Sequence, residues 1–399
     1  MTLRVAGMMS GTSYDAVDVA VADFDQDGEL LTCTPLGMIS RAVAPELRAR
    51  ISELLPPNGT SIEQVCRLDT ELGQLFADVA GEAVQRFGDV DLVVSHGQTV
   101  FHWVRDSTVL GTLQLGSPAW IAETTGVAVL SDVRTRDITR GGQGAPLAAV
   151  LDALLVLSDD VRRGSLNLGG IANITVQDSP VPGTAIGAPE VIAYDLGPAG
   201  ALLDLVIGRH TGGAERMDTD GRRAAHGRVH DQLLERLLAE PYYRLDPPKS
   251  TGKELFHTDY LDAIIGDDDL ELDDLVATLT ELTARLVGDA CHRHQLAELV
   301  VAGGGVRNPT LMDRIGALTD GVAVRPIEDF GIPAQAKEGY LMALIGYLSW
   351  HGLPGTIGTA TGASSLLGSF TPGAAPLRLP TTETIAPSRM LVVPPDERI

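Results

Sequence analysis

Two carboxylates stand where the sequence makes proton chemistry easiest to build. Asp195 ends the apolar run in "AYDLGPAG" and is followed by Gly197-Pro198, so a rigid turn fixes its side chain at a strand end. An acid held this way either takes a proton from an acceptor hydroxyl or water, or caps its own turn. Glu338 lies in "AQAKEGYLMALIGY", at the start of an otherwise apolar helix. There it either complements the helix dipole or turns a polar edge to a substrate.

Glycine and small hydroxyl residues supply the matching anion chemistry. In "GMMSGTSYDAVDVA", Gly7 to Ala20, Gly11 lets a loop approach phosphate while Ser10, Thr12 and Ser13 donate hydrogen bonds. Asp15 in the same loop suits Mg²⁺, an oxygen-seeking ion that keeps several waters. The same residues also make an ordinary hairpin turn, and GxxxxGK[ST] is missing from this loop. A second turn of this kind, in "LNLGGIANITV", carries Asn167, Gly169, Gly170 and Asn173. A third, "VAGGGVRNPTLMDRI", sets Gly303, Gly304 and Gly305 between a strand and a helix, with room for nucleotide phosphates. Asn308 beside it either contacts base or ribose, or caps the next helix.

The remaining polar blocks read as substrate contacts. "SHGQTVFH" places His96 and Gln98 directly after a strand, where an α/β sheet presents its ligands. A zinc pair of His96 with His102 lacks a third ligand at sensible spacing. "SDVRTRDITRGGQGAPL" concentrates Arg134, Arg136 and Arg140 beside Asp132, Asp137 and glycines. Arginine forks match phosphate or carboxylate oxygens, and Arg134, closest to an apolar strand, is the stronger candidate; a solvated hinge is the alternative for Arg136 and Arg140.

These groups must be positioned by an α/β scaffold. Strand patterns at Leu3–Ala6 and Val17–Phe24, with Asp-Gly in "DQDGEL", predict an antiparallel opening. Apolar residues at helical spacing from about Gln64 to Phe87 predict a long helix, followed by short strands at Leu92–Ser95 and from Gly126. The strand and Gly-turn pattern restarts at "RGSLNLGG", and helices are expected near Val229–Ala239, Leu275–His292 and Gln335–Trp350. Two α/β domains of related design follow, with an interdomain cleft. The expected limits are 1–133, with 372–399 either returning to this domain or disordered, and 134–371.

Composition narrows the partners. The 399 residues carry 30 Lys plus Arg against 53 Asp plus Glu, a formal charge of -23. Nucleic acid and anionic membranes both need a positive surface, so neither is an expected partner. No stretch approaches the roughly 18 apolar residues of a membrane span, and "MTLRVAGMMS" has no signal-like apolar core, so the expected location is the cytoplasm. Cys33, Cys66 and Cys291 are too scattered for a disulfide framework or a zinc site.

Taken in order, "MSGTSYDAVDVA", "SHGQTVFH", "TLQLGSPAWIAETTGVAVLSDVR", "GGQGAPL", "LNLGGIANITV", "PPKSTGKELF", "VAGGGVRNPTLM" and "ATGASS" resemble the anhydro-N-acetylmuramic acid kinase family. That family is a branch of the sugar kinase, heat-shock and actin superfamily. The resemblance implies two actin-like (ribonuclease H-like) domains, ATP with Mg²⁺, and usually a homodimer. The implied substrate is a 1,6-anhydro amino sugar, opened by water at its anomeric carbon while the released O6 takes the γ-phosphoryl group. It implies further that Asp195 is the general base, with Glu338 a second carboxylate near sugar and water. Ser10, Gly11, Thr12 and Asp15 match the phosphate and Mg²⁺ loop, Arg134 a sugar-side arginine, and Gly303–Gly305 the nucleotide side.

The chain departs from the family pattern in places. Where the family commonly has Asp-Thr-Gly-Pro-Gly-Asn, Leu196 removes a hydroxyl and Gly200 an amide beside the expected base. Tyr14 replaces a leucine, Ala16 a glycine and Val133 a phenylalanine, while Val104 stands near where a proline is common. These changes bear on which sugar is used. Alternatives are a kinase of another anhydrosugar such as levoglucosan, or of a free hexose derivative, and a non-catalytic, nucleotide-responsive actin-like protein.

Overall fold

In the computed structural model the described residues are 2–11, 13–55, 58–105, 108–158, 160–178, 190–247, 249–252, 255–266 and 268–397. They form two units, Met1–Leu155 with Phe330–Ile399, and Val156–Asp329. The first stretch runs β1 (Leu3–Ser10), β2 (Ala16–Asp27), β3 (Leu30–Ala42), α1 (Pro45–Leu54), α2 (Ile62–Phe87), β4 (Leu92–Ser95), β5 (Gln98–Arg105), β6 (Thr108–Leu115), α3 (Pro118–Thr125), β7 (Ala128–Ser131), α4 (Thr135–Thr139) and α5 (Ala148–Leu155). The second unit holds β8 (Arg163–Leu168), β9 (Ile171–Asp178), β10 (Glu190–Pro198), α6 (Gly200–His210), α7 (Arg222–His226), α8 (Asp231–Leu238), α9 (Thr258–Ile265), α10 (Leu272–Arg293), β11 (Glu298–Ala302), α11 (Pro309–Leu318) and β12 (Ala323–Pro326). The chain then returns to the first unit with α12 (Lys337–Trp350), α13 (Gly358–Thr361), β13 (Ser369–Thr371) and β14 (Arg389–Val392).

The first unit's main sheet has the order β13-β7-β4-β1-β2-β3-β14. β1, β2 and β3 form an antiparallel meander, and β4 and β7 add in parallel beside β1. β1 is buried almost throughout, as a central strand covered on both faces must be. One face packs on α2, whose Leu72, Phe76 and Val79 meet Val19 and Val21 of β2 in a single core. A reciprocal cap starts α2: Ser61 Oγ accepts from the Gln64 N–H while the Gln64 side chain accepts from the Ser61 N–H.

The other face takes α12 at backbone distance. A Cβ placed on Gly7 would lie 2.1 Å from Gly339 O, and one on Gly346 would lie 2.4 Å from Val94 Cγ2. Glycine at these positions therefore lets the helix lie directly on β1 and β4 and fixes where its first turn stands.

The second unit's sheet has the order β10-β9-β8-β11-β12, with β8, β9 and β10 antiparallel and β11 and β12 added in parallel. This repeats the β3-β2-β1-β4-β7 core of the first unit, so each unit is a ribonuclease H-like, actin-like α/β fold. Its core centres on α10, which is buried on nearly every side between the sheet and α6, α8 and α11.

The units divide elsewhere than the sequence suggested. Residues 134–155 and 330–371 lie in the first unit, not with the second. The glycine-mediated seat of α12 on β1 and the pairing of β13 with β7 hold the later segment there, and a buried ion pair from Lys337 to Asp152 of α5 ties the two segments together. The segment after Pro372 also returns to this unit, where β14 pairs in parallel with β3.

Candidate functional site

Each unit carries its polar groups on the loops that leave its central strands. In the first unit Ser10 ends β1 and is buried; its hydroxyl donates to Gln98 Oε1 at 2.7 Å. Gln98, also buried, donates from Nε2 to Thr99 O at 3.2 Å and to Gly11 O at 3.4 Å. Ser10 and Gln98 thus anchor the loop entry to β5. Thr12 lies outside the described residues. Tyr14 returns its N–H to Gly11 O and holds φ at +42°, a left-handed conformation unusual for an aromatic residue. Ser13 Oγ donates to the exposed Asp15 carboxylate.

His96 is buried, and its environment fixes its protonation. Arg134 Nε approaches His96 Nε2 at 2.9 Å, and an arginine nitrogen only donates, so Nε2 accepts. The ring proton therefore sits on Nδ1 and donates to Gly97 O at 2.9 Å. Burial, reinforced by the Arg134 charge, pushes the His96 pKa down to about 3. Both ring nitrogens are engaged within the protein. His96, expected to touch substrate, commits these two nitrogens to Gly97 O and to the Arg134 side chain that it supports.

Arg134 also donates from Nη1 to Gly144 O at 2.7 Å. Burial draws its pKa down to about 10, against the opposing pull of Glu338. The Gly144 loop is held by Asp137, fully buried, which accepts from the Gly144 N–H and from the Thr356 and Thr361 hydroxyls. Arg136 and Arg140 face solvent.

Glu338 occupies the first turn of α12. Solvent reaches it, yet enough protein surrounds it that lost hydration raises its pKa above the ordinary carboxylate range; Lys337 opposes this, Asp18 adds to it and Arg134 opposes it. Asp18 is raised as well, mainly by burial, with a Ser40 hydrogen bond opposing and Asp15 adding. Asp18 is not singled out by the sequence, where it is one of two acids, with Asp23, inside the otherwise apolar strand "VDVAVADF". Asp15, Asp18 and Glu338 thus make an acidic edge, with Lys337 and Arg134 as the cations acting on Glu338.

In the second unit Asp195 sits on β10 at a register shift between Asp195 and Gly197. Asp195 Oδ2 accepts from the Thr251 N–H at 2.9 Å, its own N–H donates to Lys249 O at 3.2 Å, and its carbonyl accepts from the Tyr242 hydroxyl at 2.9 Å. Asn167 and Asn173 face each other across β8 and β9 beside the Gly169-Gly170 turn. The first N–H groups of α6 donate to that turn: Gly200 to Gly169 O at 3.0 Å, and Ala201 to Gly170 O at 2.9 Å. The triple glycine presses on the same turn. Gly303 has φ +91°, and a Cβ there would lie 2.7 Å from both Asn167 Oδ1 and Leu168 O. Asn308 is the N-cap of α11, its Oδ1 accepting from the Leu311 N–H at 3.0 Å. Of its two sequence readings, the cap is the one its side-chain oxygen performs.

Chemically, the first unit offers a tight loop, an arginine and three carboxylates; the second offers a fixed carboxylate and close-set glycine turns. No three His, Cys, Asp or Glu side chains converge as a metal cage among the described residues. An oxygen donor set of Asp15 and Asp18 suits Mg²⁺ that takes its other ligands from phosphate and water.

The family model described as anhydro-N-acetylmuramic acid kinase matches residues 3–373. A Streptomyces coelicolor protein named anhydro-N-acetylmuramic acid kinase is 51% identical over 396 residues, covering 98% of this chain and 99% of its own. Proteins of the same name from Rhodococcus erythropolis and Synechococcus elongatus are 48% and 38% identical, covering 98% and 92% of this chain and 99% and 98% of their own.

Proposed function

The chain belongs to the anhydro-N-acetylmuramic acid kinase family, and from that premise we infer that it opens the 1,6-anhydro ring of 1,6-anhydro-N-acetylmuramic acid with water and phosphorylates O6 from ATP. The products are N-acetylmuramic acid 6-phosphate and ADP. The observation that carries this reading is the fixed carboxylate of Asp195, held at a strand end by the Thr251 N–H.

Asp195 takes a proton from the water that attacks the anomeric carbon. As the new C1–O bond forms, the C1–O6 bond breaks, and O6 attacks the γ-phosphorus while the bond to ADP breaks. Glu338, beside Asp18 and Arg134, orients the sugar and water. Arg134, held by His96 and Gly144 O, meets the sugar's anionic side as a preset fork. Ser10, Gly11 and Ser13 border the phosphate loop, and Thr12 is carried over from the family motif by sequence alone. Asn167, Gly169, Gly170, Asn173 and Gly303–Gly305 border the nucleotide, with Asn308 supporting them as a helix cap. Asp15, with Asp18 behind it, would hold Mg²⁺ through water, and the ion would supply charge neutralisation on the transferring oxygens. Family membership also supports a homodimer in the cytoplasm that returns cell-wall sugar to metabolism.

The test is ADP release on adding 1,6-anhydro-N-acetylmuramic acid with Mg-ATP, run beside levoglucosan, free N-acetylmuramic acid and an Asp195→Asn protein. Turnover confined to the anhydro-muramic sugar and abolished in the variant is the expected result. Turnover on levoglucosan alone would move the substrate, and turnover preserved in Asp195→Asn would remove Asp195 as the base.

A further inference from the structure

Besides its own strand, Asp195 is held by a segment that contains Tyr242, Lys249 and Thr251. Its strand supplies little side-chain help: Leu196, buried, presents no hydroxyl beside the carboxylate, and Gly197 admits the Tyr243 ring, to which a Cβ would lie 2.8 Å. Three hydrogen bonds come from Tyr242, Lys249 and Thr251. The Tyr242 hydroxyl donates to Asp195 O at 2.9 Å, Lys249 O accepts from the Asp195 N–H at 3.2 Å, and the Thr251 N–H donates to Oδ2 at 2.9 Å.

The Lys249 ammonium ties the segment together. Lys249 Nζ donates to Tyr242 O at 3.1 Å and to Tyr243 O at 3.2 Å, and lies 4.7 Å from the centre of the Tyr242 ring. One ammonium therefore gathers both ends of the segment, the tyrosine that bonds the Asp195 carbonyl and the backbone that bonds its N–H and carboxylate. The ammonium is half-buried, and lost hydration lowers its pKa. Around it, Tyr242, Tyr243, Phe256 and Tyr260 pack in ring contacts that stiffen the same segment.

We propose that Lys249 and Tyr242 are positioning residues for the reaction, setting the direction of the Asp195 carboxylate by pinning the segment whose Thr251 N–H bonds it. The proposal rests on the reading of Asp195 as the base. It follows from how steeply general-base catalysis depends on alignment: an error of about 1 Å costs on the order of a hundredfold in rate. Neither residue needs to touch the sugar, so the loss falls on the chemical step rather than on binding.

The experiment compares kcat and KM for the anhydro-muramic sugar in wild-type protein, Lys249→Met, Lys249→Arg, Tyr242→Phe and Asp195→Asn, with thermal melts of each. Expected are a fall in kcat of about tenfold or more in Lys249→Met and a smaller one in Tyr242→Phe, with KM within about twofold of wild type. Lys249→Arg, which keeps a cation on the Tyr242 ring, recovers part of the loss. A rise in KM at unchanged kcat in both variants would overturn the proposal by making these residues binding contacts. Wild-type kcat in a folded Tyr242→Phe and a folded Lys249→Met would overturn it too. The underlying reading fails separately, and only if Asp195→Asn keeps its turnover.

Discussion

The Lys337 ammonium lies 2.6 Å from the Asp152 carboxylate, and both side chains are almost wholly buried. The pair joins α5 to the start of α12 one residue before Glu338, so an ion pair far from ordinary solvent screening fixes the turn that carries a candidate site carboxylate. Removing one partner takes from the other the ion pair that offsets its burial. Asp152→Ala is therefore expected to cost about 3–5 kcal/mol by denaturant unfolding, while Asp152→Leu combined with Lys337→Met recovers most of that loss.

Gly7→Ala tests the seat of the same helix from the strand side. The added methyl meets Gly339 O and the Ala343 N–H at distances that no rotamer relieves, so backbone must move. The expected loss is about 3 kcal/mol, at the upper end for one added methyl in a packed core. Activity falls further than stability at assay temperature, because the first turn of α12 moves with the helix.

Glu338→Gln separates catalysis from folding. A carboxyl whose folded pKa is raised binds protons more readily in the folded state, so its contribution to stability is lost as pH rises through that pKa. Glutamine removes the loss. Turnover is expected to drop about a hundredfold or more, while the melting temperature at pH 8 stays equal to wild type or rises.

His96 gives the opposite pH signature. Its folded pKa of about 3 lies below the unfolded value, so the unfolded chain binds the extra proton and stability falls as pH drops below about 6.5. Between pH 6.5 and 5 this single group costs about 2 kcal/mol. Urea melts of a His96→Asn protein should show a shallower slope over this window by about one proton. An unchanged slope would mean that His96 titrates normally.

Sequence periodicity carried the long elements well. The apolar spacing from Gln64 to Phe87 became α2, and the restart of strand and Gly-turn at "RGSLNLGG" became the second sheet in the same strand order as the first. What periodicity missed are contacts between segments distant in sequence. Nothing in "PYYRLDPPKST" marks Tyr242 as a hydrogen-bond donor to Asp195, because that role exists only once β10 and residues 249–251 lie side by side. His96 was legible as a polar group after a strand, but not as a base to Arg134, which sits 38 residues on. The unit limits were misread for a related reason. α12 looks apolar all round, so its partner sheet is disclosed only by the glycines of β1 and of the helix meeting at backbone distance.

The first unit is discontinuous, and this bears on the order in which the protein assembles. β14 and α12 come from the last part of the chain, yet one borders β3 and the other covers β1. Residues 156–329, in contrast, are contiguous and include every strand of their own sheet. During synthesis the later-numbered unit therefore completes its core first, while β1 to β7 wait with one face of the sheet bare until α12 leaves the ribosome. A nascent chain halted near residue 330 should hold a protease-resistant second unit and a first unit still open to digestion. The apolar stretch of β1 and β4 that α12 covers in the finished fold is then open to solvent until that helix is made.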